Sequence, residues 1–279
     1  MRIDLCGVRG STPAPGSSFE RYGGHTSCIA ITPDGADAPT LILDAGTGLR
    51  AATGLLDGRP FAGTILLSHL HWDHVQGLPF FAGGDRDGSD VTVVIPEQED
   101  GHDALAVLSR LMSPPFFPVA PDALRGSWSF ATLEPGSSTQ GGLEVLTREI
   151  PHKGGRTFGF RITDGHATVT YMPDHCPTSV GPGPDGFGEY HDAAVELAGG
   201  SDILIHDAQL RASELGAEAV MGHSCGEYAV ALARRAGARR VLLFHHRPNR
   251  TDDELTEIRA SFGFDPPVAV ARQGETLML

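Results

Sequence analysis

The sequence predicts an α/β fold in which two β-sheets pack face to face with helices covering the outside. Apolar, β-branched runs of strand length recur throughout the 279 residues, and helix-like stretches punctuate them. In both halves strands come first and are then mixed with helices, an order that suits layered sheets more than a bundle or an open sheet.

The strand-like segments fall in order at 2–6, 27–31, 40–43, 64–67, 91–95, 143–149, 157–163, 168–172, 203–205 and 240–244. The helix-like stretches lie at 101–112, 190–198, 225–236 and 252–261. Segments 79–90, 113–121, 134–142 and 177–188 are rich in Gly and Pro and are expected to be loops by their turn chemistry. None is long or polar enough to force a break, so residues 1–279 are expected to form a single domain. The run 111–118 is apolar but carries three prolines, which excludes a regular helix or central strand; packing on the core is expected there, with a pocket wall or lid as the alternative.

An apolar fraction of 40% can fill a sizeable core. Nowhere do ~18 consecutive apolar residues occur, so no membrane-spanning helix is expected. The first residues enter a strand pattern at once, without the basic and apolar regions of a secretory signal, and the cytoplasm is the expected compartment. Cys6, Cys28, Cys176 and Cys225 are widely spaced and are read as free thiols. A net charge of −14 disfavours long nucleic acid and anionic membrane as partners. The expected partner is a small, anionic substrate; the oligomeric state stays open.

The chemistry concentrates in Ser68-His69-Leu70-His71-Trp72-Asp73-His74. The apolar strand Thr64-Ile65-Leu66-Leu67 runs into it, and if the extended backbone persists, His69 and His71 point to the same side and can share one ion. Asp73 and His74 follow across a turn and can serve a second ion. Imidazole with carboxylate suits zinc first, with manganese or iron as alternatives. Four ionisable residues within six positions at a strand end read as a site rather than as a stability device.

These residues resemble the His-x-His-x-Asp-His signature of the metallo-β-lactamase-fold metallo-hydrolases. Further segments resemble that superfamily's motifs in the same order: Asp44 before Ala-Gly-Thr-Gly, His152 in Ile-Pro-His, Asp174 in Tyr-Met-Pro-Asp, and His245 in Leu-Phe-His-His. The resemblance implies a four-layer αβ/βα sandwich of two mixed sheets. It also implies two divalent metal ions, one held by His69, His71 and His152, the other by Asp73, His74 and His245, with Asp174 bridging. Asp44 would orient a ligand. His245 is chosen over His246 because it stands where the family places its ligand.

Two metals roughly 3.5–4 Å apart lower the pKa of a water between them and polarise the bond under attack, so the implied reaction is hydrolysis. Leu204-Ile205-His206-Asp207-Ala208-Gln209 and Gly222-His223-Ser224 resemble segments of the RNase Z and small phosphodiesterase branch. By that resemblance His223 is the general acid and, with Asp73, carries the catalysis; the bland alternative makes His223 a helix-terminal residue with Ser224 capping the helix at 225–236. Gly7-Val8-Arg9-Gly10-Ser11-Thr12-Pro13 and Tyr22-Gly23-Gly24-His25-Thr26-Ser27 resemble the N-terminal loop of the same branch, with His25 as a departure. Arg9, Arg156 and Arg247 could steer phosphate but are expected to be surface ion pairs. The expectation is a phosphodiesterase for a small, perhaps cyclic, phosphodiester. A lactonase or thioesterase with the same metals, and a weakly catalytic metal-binding sensor, are the rivals.

Overall fold

A computed structural model describes residues 1–98 and 101–279. The first sheet contains β1 (Arg2–Gly7), β2 (Cys28–Thr32), β3 (Leu41–Leu43), β4 (Ala62–Leu66), β5 (Asp90–Pro96) and β6 (Ser127–Leu133). The second contains β7 (Gly136–Gln140), β8 (Leu143–Glu149), β9 (Phe158–Thr163), β10 (Thr168–Met172), β11 (Ile203–Asp207), β12 (Val241–Phe244) and β13 (Val268–Val270). A last strand, β14 (Thr276–Met278), returns to the first sheet beside β1. The first sheet runs β14-β1-β2-β3-β4-β5-β6 and the second β13-β12-β11-β10-β9-β8-β7, each with antiparallel and parallel pairs.

Alternation along the strands sorts side chains into three apolar layers. From β3, Leu41 and Leu43 enter the layer between the sheets while Ile42 faces out; β11 does the same with Ile203 and Ile205 against Leu204. The inter-sheet layer also holds Phe158, Phe160, Tyr171 and Phe244. On the outside of the first sheet, α1 (Leu49–Ala52), the short α2 (Trp72–Val75) and α3 (Ala104–Ser109) supply Leu49, Val75 and Leu108. On the outside of the second, α4 (Asp192–Ala198), α5 (Leu215–Glu218), α6 (Gly226–Ala236) and α7 (Asp252–Ser261) supply Leu197, Leu215, Leu232 and Leu255. The result is the αβ/βα sandwich of two mixed sheets expected from the sequence.

Two expectations need correction, and the alternative that Ser224 caps a helix is excluded. Residues 134–142 are not all loop: Gly136–Gln140 pairs antiparallel with β8 as an edge strand, and its Ser-Ser-Thr-Gln content hides it because one edge of the strand is left unpaired in the sheet. Ser224 does not cap α6; the cap position is Cys225, with no side-chain hydrogen bond, and the Ser224 backbone N–H donates instead to Asp207 at 3.3 Å. Arg9 is not a surface ion pair but a wholly buried guanidinium that donates to backbone carbonyls. Arg156 and Arg247 do pair with acids, Glu134 and Glu149 for the first and Glu218 for the second. In 111–118, Met112 packs in the outer layer of the first sheet while Phe116 is 82% exposed. All four cysteines are free and buried. Among the described residues, no helix is long and apolar enough to cross a membrane.

Candidate metal centre

The parallel strands position the site. β3, β4 and β5 run parallel in the first sheet and β10, β11 and β12 in the second, so their carboxyl ends gather along one edge of the sandwich. Asp44 follows β3, the Ser68-to-His74 run follows β4, Asp174 follows β10, Asp207 ends β11 and His245 follows β12. His152 comes from the loop between β8 and β9. Residues scattered over two hundred positions thus converge because their strands end together.

Their donor atoms fall into two adjoining groups, and His223 joins Asp174 and His245 in a third that overlaps both. His69, His71, His152 and Asp174 each offer an atom within 4.8 Å of the others, as do Asp73, His74 and His245. Asp174 lies between them. Its Oδ2 is 3.5 Å from His152 Nε2 and 3.8 Å from His69 Nε2, while its Oδ1 is 3.0 Å from His74 Nε2 and 3.2 Å from His245 Nε2. One carboxylate therefore shows one oxygen to each group.

The opposite ring nitrogens are held by the protein, which settles which nitrogen faces inward. His152 Nδ1 donates to the Gly222 carbonyl at 2.7 Å, and His74 Nδ1 donates to Asp44 Oδ2 at 2.8 Å. His69 Nδ1 meets Ser68 Oγ at 3.0 Å, and that hydroxyl donates to Asp44. Asp44 also accepts from the Ser68 backbone at 2.7 Å and from the Tyr171 hydroxyl at 2.8 Å. Asp44 thus touches no other member of the centre than His74, whose ring it orients. Ser68 and Tyr171 lie inside sequence motifs but are given no role there, since only the fold brings a β10 phenol and a β4-end hydroxyl to Asp44.

The buried His69 Nε2 has no hydrogen-bond partner, and Asp174 Oδ1 has none of acceptable geometry. Two such atoms, buried and facing a set of imidazoles and carboxylates, cost free energy unless something fills the space between them. The chemistry of the set fits divalent ions of the zinc type.

The two groups differ electrically. Burial, above all, holds His69 well below the ordinary imidazole range and also lowers His71 and His152. Burial opposes charge on His74 as well, but Asp73, Asp174 and Asp44 overcome it and raise its pKa well above that range. Against burial, His74 and His245 keep Asp73 ionised, and the surrounding imidazoles do the same for Asp174.

His223, buried, lies beside both groups, with its ring 5.3 Å from that of His152 and 5.0 Å from that of His245. Its Nδ1 is 3.0 Å from Asp207 Oδ2. Burial opposes its charge, yet Asp207 prevails and its pKa is pushed up to about 9. Asp207 also accepts from the backbones of His175, Gln209 and Ser224. His246 points away, toward the Ala271 carbonyl at 2.8 Å, and burial pulls it down to about 3. His25 lies against the Thr47 hydroxyl at 3.2 Å, outside both groups. Beside His152 opens a cavity of about 450 Å3, walled by Lys153, Thr178, Ser179 and Val220 among others.

A family model described as a beta-lactamase superfamily domain matches residues 40–246, which include the strand ends and nearly every residue of the centre. The chain belongs to this superfamily. Relatives within it include the uncharacterized protein Rv1339 of Mycobacterium tuberculosis, 29% identical over 99% of this chain and 91% of its own length. A Ribonuclease Z of Salinibacter ruber is 27% identical over 98% of this chain and 93% of its own length. Among solved structures, the metallo-β-lactamase fold protein YhfI of Bacillus subtilis superposes with a TM-score of 0.71 at 20% identity, covering 99% of this chain and 98% of its own. That likeness establishes the shared fold.

Proposed function

We propose that this superfamily member is a phosphodiesterase that holds two divalent metal ions, zinc first, and hydrolyses a small phosphodiester such as a cyclic nucleotide or cyclic sugar phosphate. One ion would be held by His69, His71 and His152, the other by Asp73, His74 and His245, with Asp174 shared. When bound, the ions supply a water acidic enough to lose its proton near neutral pH and a positive field over the phosphoryl group.

The chain's own residues supply the rest. The reading rests on the Asp207–His223 pair: His223 Nδ1 lies 3.0 Å from Asp207 Oδ2 and 3.8 Å from Oδ2 of Asp174, the carboxylate between the two groups. Cleavage of a phosphodiester expels an alkoxide, a strong base that leaves far more readily when a proton reaches it. His223 Nε2 is the proton donor in this account, and Asp207 keeps Nδ1 occupied so that Nε2 faces the substrate. Lys153, the only lysine of the chain, stands at the adjoining cavity, where it favours an anionic group. The volume of that cavity suits a small molecule. A full-length relative is named a ribonuclease, and RNA is a phosphodiester polymer. The net charge of −14 argues against a long polyanion here.

The test compares leaving groups. His223→Ala should keep its metals and lose about 10²–10⁴-fold in kcat on a substrate with an alkoxide leaving group. On bis(p-nitrophenyl) phosphate, whose leaving group needs no proton, the loss should be far smaller. Equal losses on both substrates would remove the general-acid role.

A further inference from the structure

Gln209 belongs to neither group of candidate ligands, yet three parts of the chain meet on it. Its side-chain Nε2 stands 3.2 Å from His245 Nδ1 and 3.3 Å from Ser11 Oγ. Its backbone N–H donates to Asp207 Oδ1 at 2.9 Å, and only 7% of the residue is exposed. A buried carboxamide is costly to mispair, so its orientation is tied to that of the His245 ring it meets.

The N-terminal loop completes the arrangement. Ser11 adopts φ 61°, and its backbone N–H donates to Asp73 Oδ2 at 2.5 Å. At Gly10 a Cβ would lie 2.3 Å from His245 Cε1 and 2.7 Å from Gln209 Nε2, so a side chain there would occupy the space the ring and the amide now share. Arg9 anchors the loop through the carbonyls of Gly23 at 2.7 Å, Arg250 at 2.6 Å and Arg247 at 3.2 Å. Asp73 and His245, both in the second group, are thus the two candidate ligands this loop and Gln209 hold.

The hydrogen-bond logic gives the carboxamide a specific task. His245 Nε2 faces the Asp73 carboxylate at 3.1 Å, so without metal its proton belongs on Nε2 and Nδ1 accepts from Gln209. To bind an ion through Nε2, the ring must carry its proton on Nδ1 instead, and Nδ1 then needs an acceptor. A carboxamide meets both needs, since a half-turn exchanges its NH2 for its oxygen. We propose that Gln209, braced by Gly10 and Ser11, is a positioning residue that selects the metal-binding form of His245 and so sets the affinity of the ion held by Asp73, His74 and His245. The inference rests on the dinuclear reading above.

The experiment titrates metal-free protein with zinc and with cobalt(II), following bound equivalents and the cobalt absorption bands. Gln209→Met keeps the volume and removes the hydrogen bond; it should leave the first equivalent unchanged, weaken the second about ten- to a hundredfold, and alter the cobalt bands of the second alone. Gln209→Glu, which can only accept, should bind the second equivalent at least as tightly as wild type. Both equivalents binding Gln209→Met as they bind wild type would overturn the role, and so would a Gln209→Glu protein weakened like Gln209→Met. If Gln209→Met does not fold, the comparison of Gln209→Glu with wild type decides. Wild type that takes up fewer than two equivalents would defeat the dinuclear reading itself, whatever the variants do.

Discussion

The two groups of the centre share one short run of sequence but differ electrically. His69 and His71, with His152, form an imidazole group whose members burial keeps neutral. Asp73 and His74, only two to five positions further on, join His245 in a group where ionised carboxylates hold His74 protonated. The turn at His71, extended with φ −65° and ψ 150°, into α2 sends the two parts of the motif to different groups of candidate ligands. Adjacent ligands can therefore differ in charge, in proton content and in the partners that hold them.

The most drastic way to break the comparison is to remove what the groups share. Asp174→Ala should abolish measurable activity and lower metal content in both groups, because one carboxylate faces each. A variant that still binds two equivalents with wild-type affinity would contradict the bridging role. His69→Ala, by contrast, should strip the first group while the second retains the Asp44-held His74.

Asp44→Asn probes the second group from behind. The carboxylate accepts from His74 Nδ1 directly and reaches His69 only through Ser68 Oγ, so losing it should weaken the ion at Asp73, His74 and His245 by about ten- to a hundredfold and the other by less. Metal content measured after dialysis against graded zinc reads both affinities; an equal loss in the two would blur the distinction.

Proton release sharpens it further. An ion entering the second group must displace the proton that the carboxylates hold on His74, whose pKa is raised, so affinity there should rise with pH, by about tenfold per unit for one proton displaced. The first group has lowered pKa values, holds no proton above the ordinary imidazole range, and should bind with nearly constant affinity between pH 7 and 8. Calorimetry in buffers of different ionisation enthalpy counts the protons released by each equivalent. Two equal counts would mean that the groups are electrically alike.

Much of this was legible in the sequence because ligands of a strand-end site leave dense local marks. The run from His69 to His74, and the acids and histidines that follow apolar strands at 44, 152, 174 and 245, all converge in the fold. The choice of His245 over His246 matches where the structure puts the two rings, one facing Asp73 and the other the Ala271 carbonyl. What was not legible depends on contacts between distant segments. Tyr171 and Gln209 have no assigned role within the motifs that contain them, and Arg9 reads as a surface ion pair, until the fold packs them against Asp44, His245 and the Gly23 carbonyl. The edge strand Gly136–Gln140 escaped for a different reason: its pattern is polar because little of it is covered.

The most direct measurement follows hydrolysis of bis(p-nitrophenyl) phosphate, alongside a lactone and a thioester, as zinc is added to metal-free protein one equivalent at a time. Phosphodiester turnover should appear with the second equivalent and exceed turnover of either acyl substrate. Protein loaded with two equivalents that cleaves the lactone or thioester and leaves the phosphodiester intact would contradict the phosphodiesterase reading.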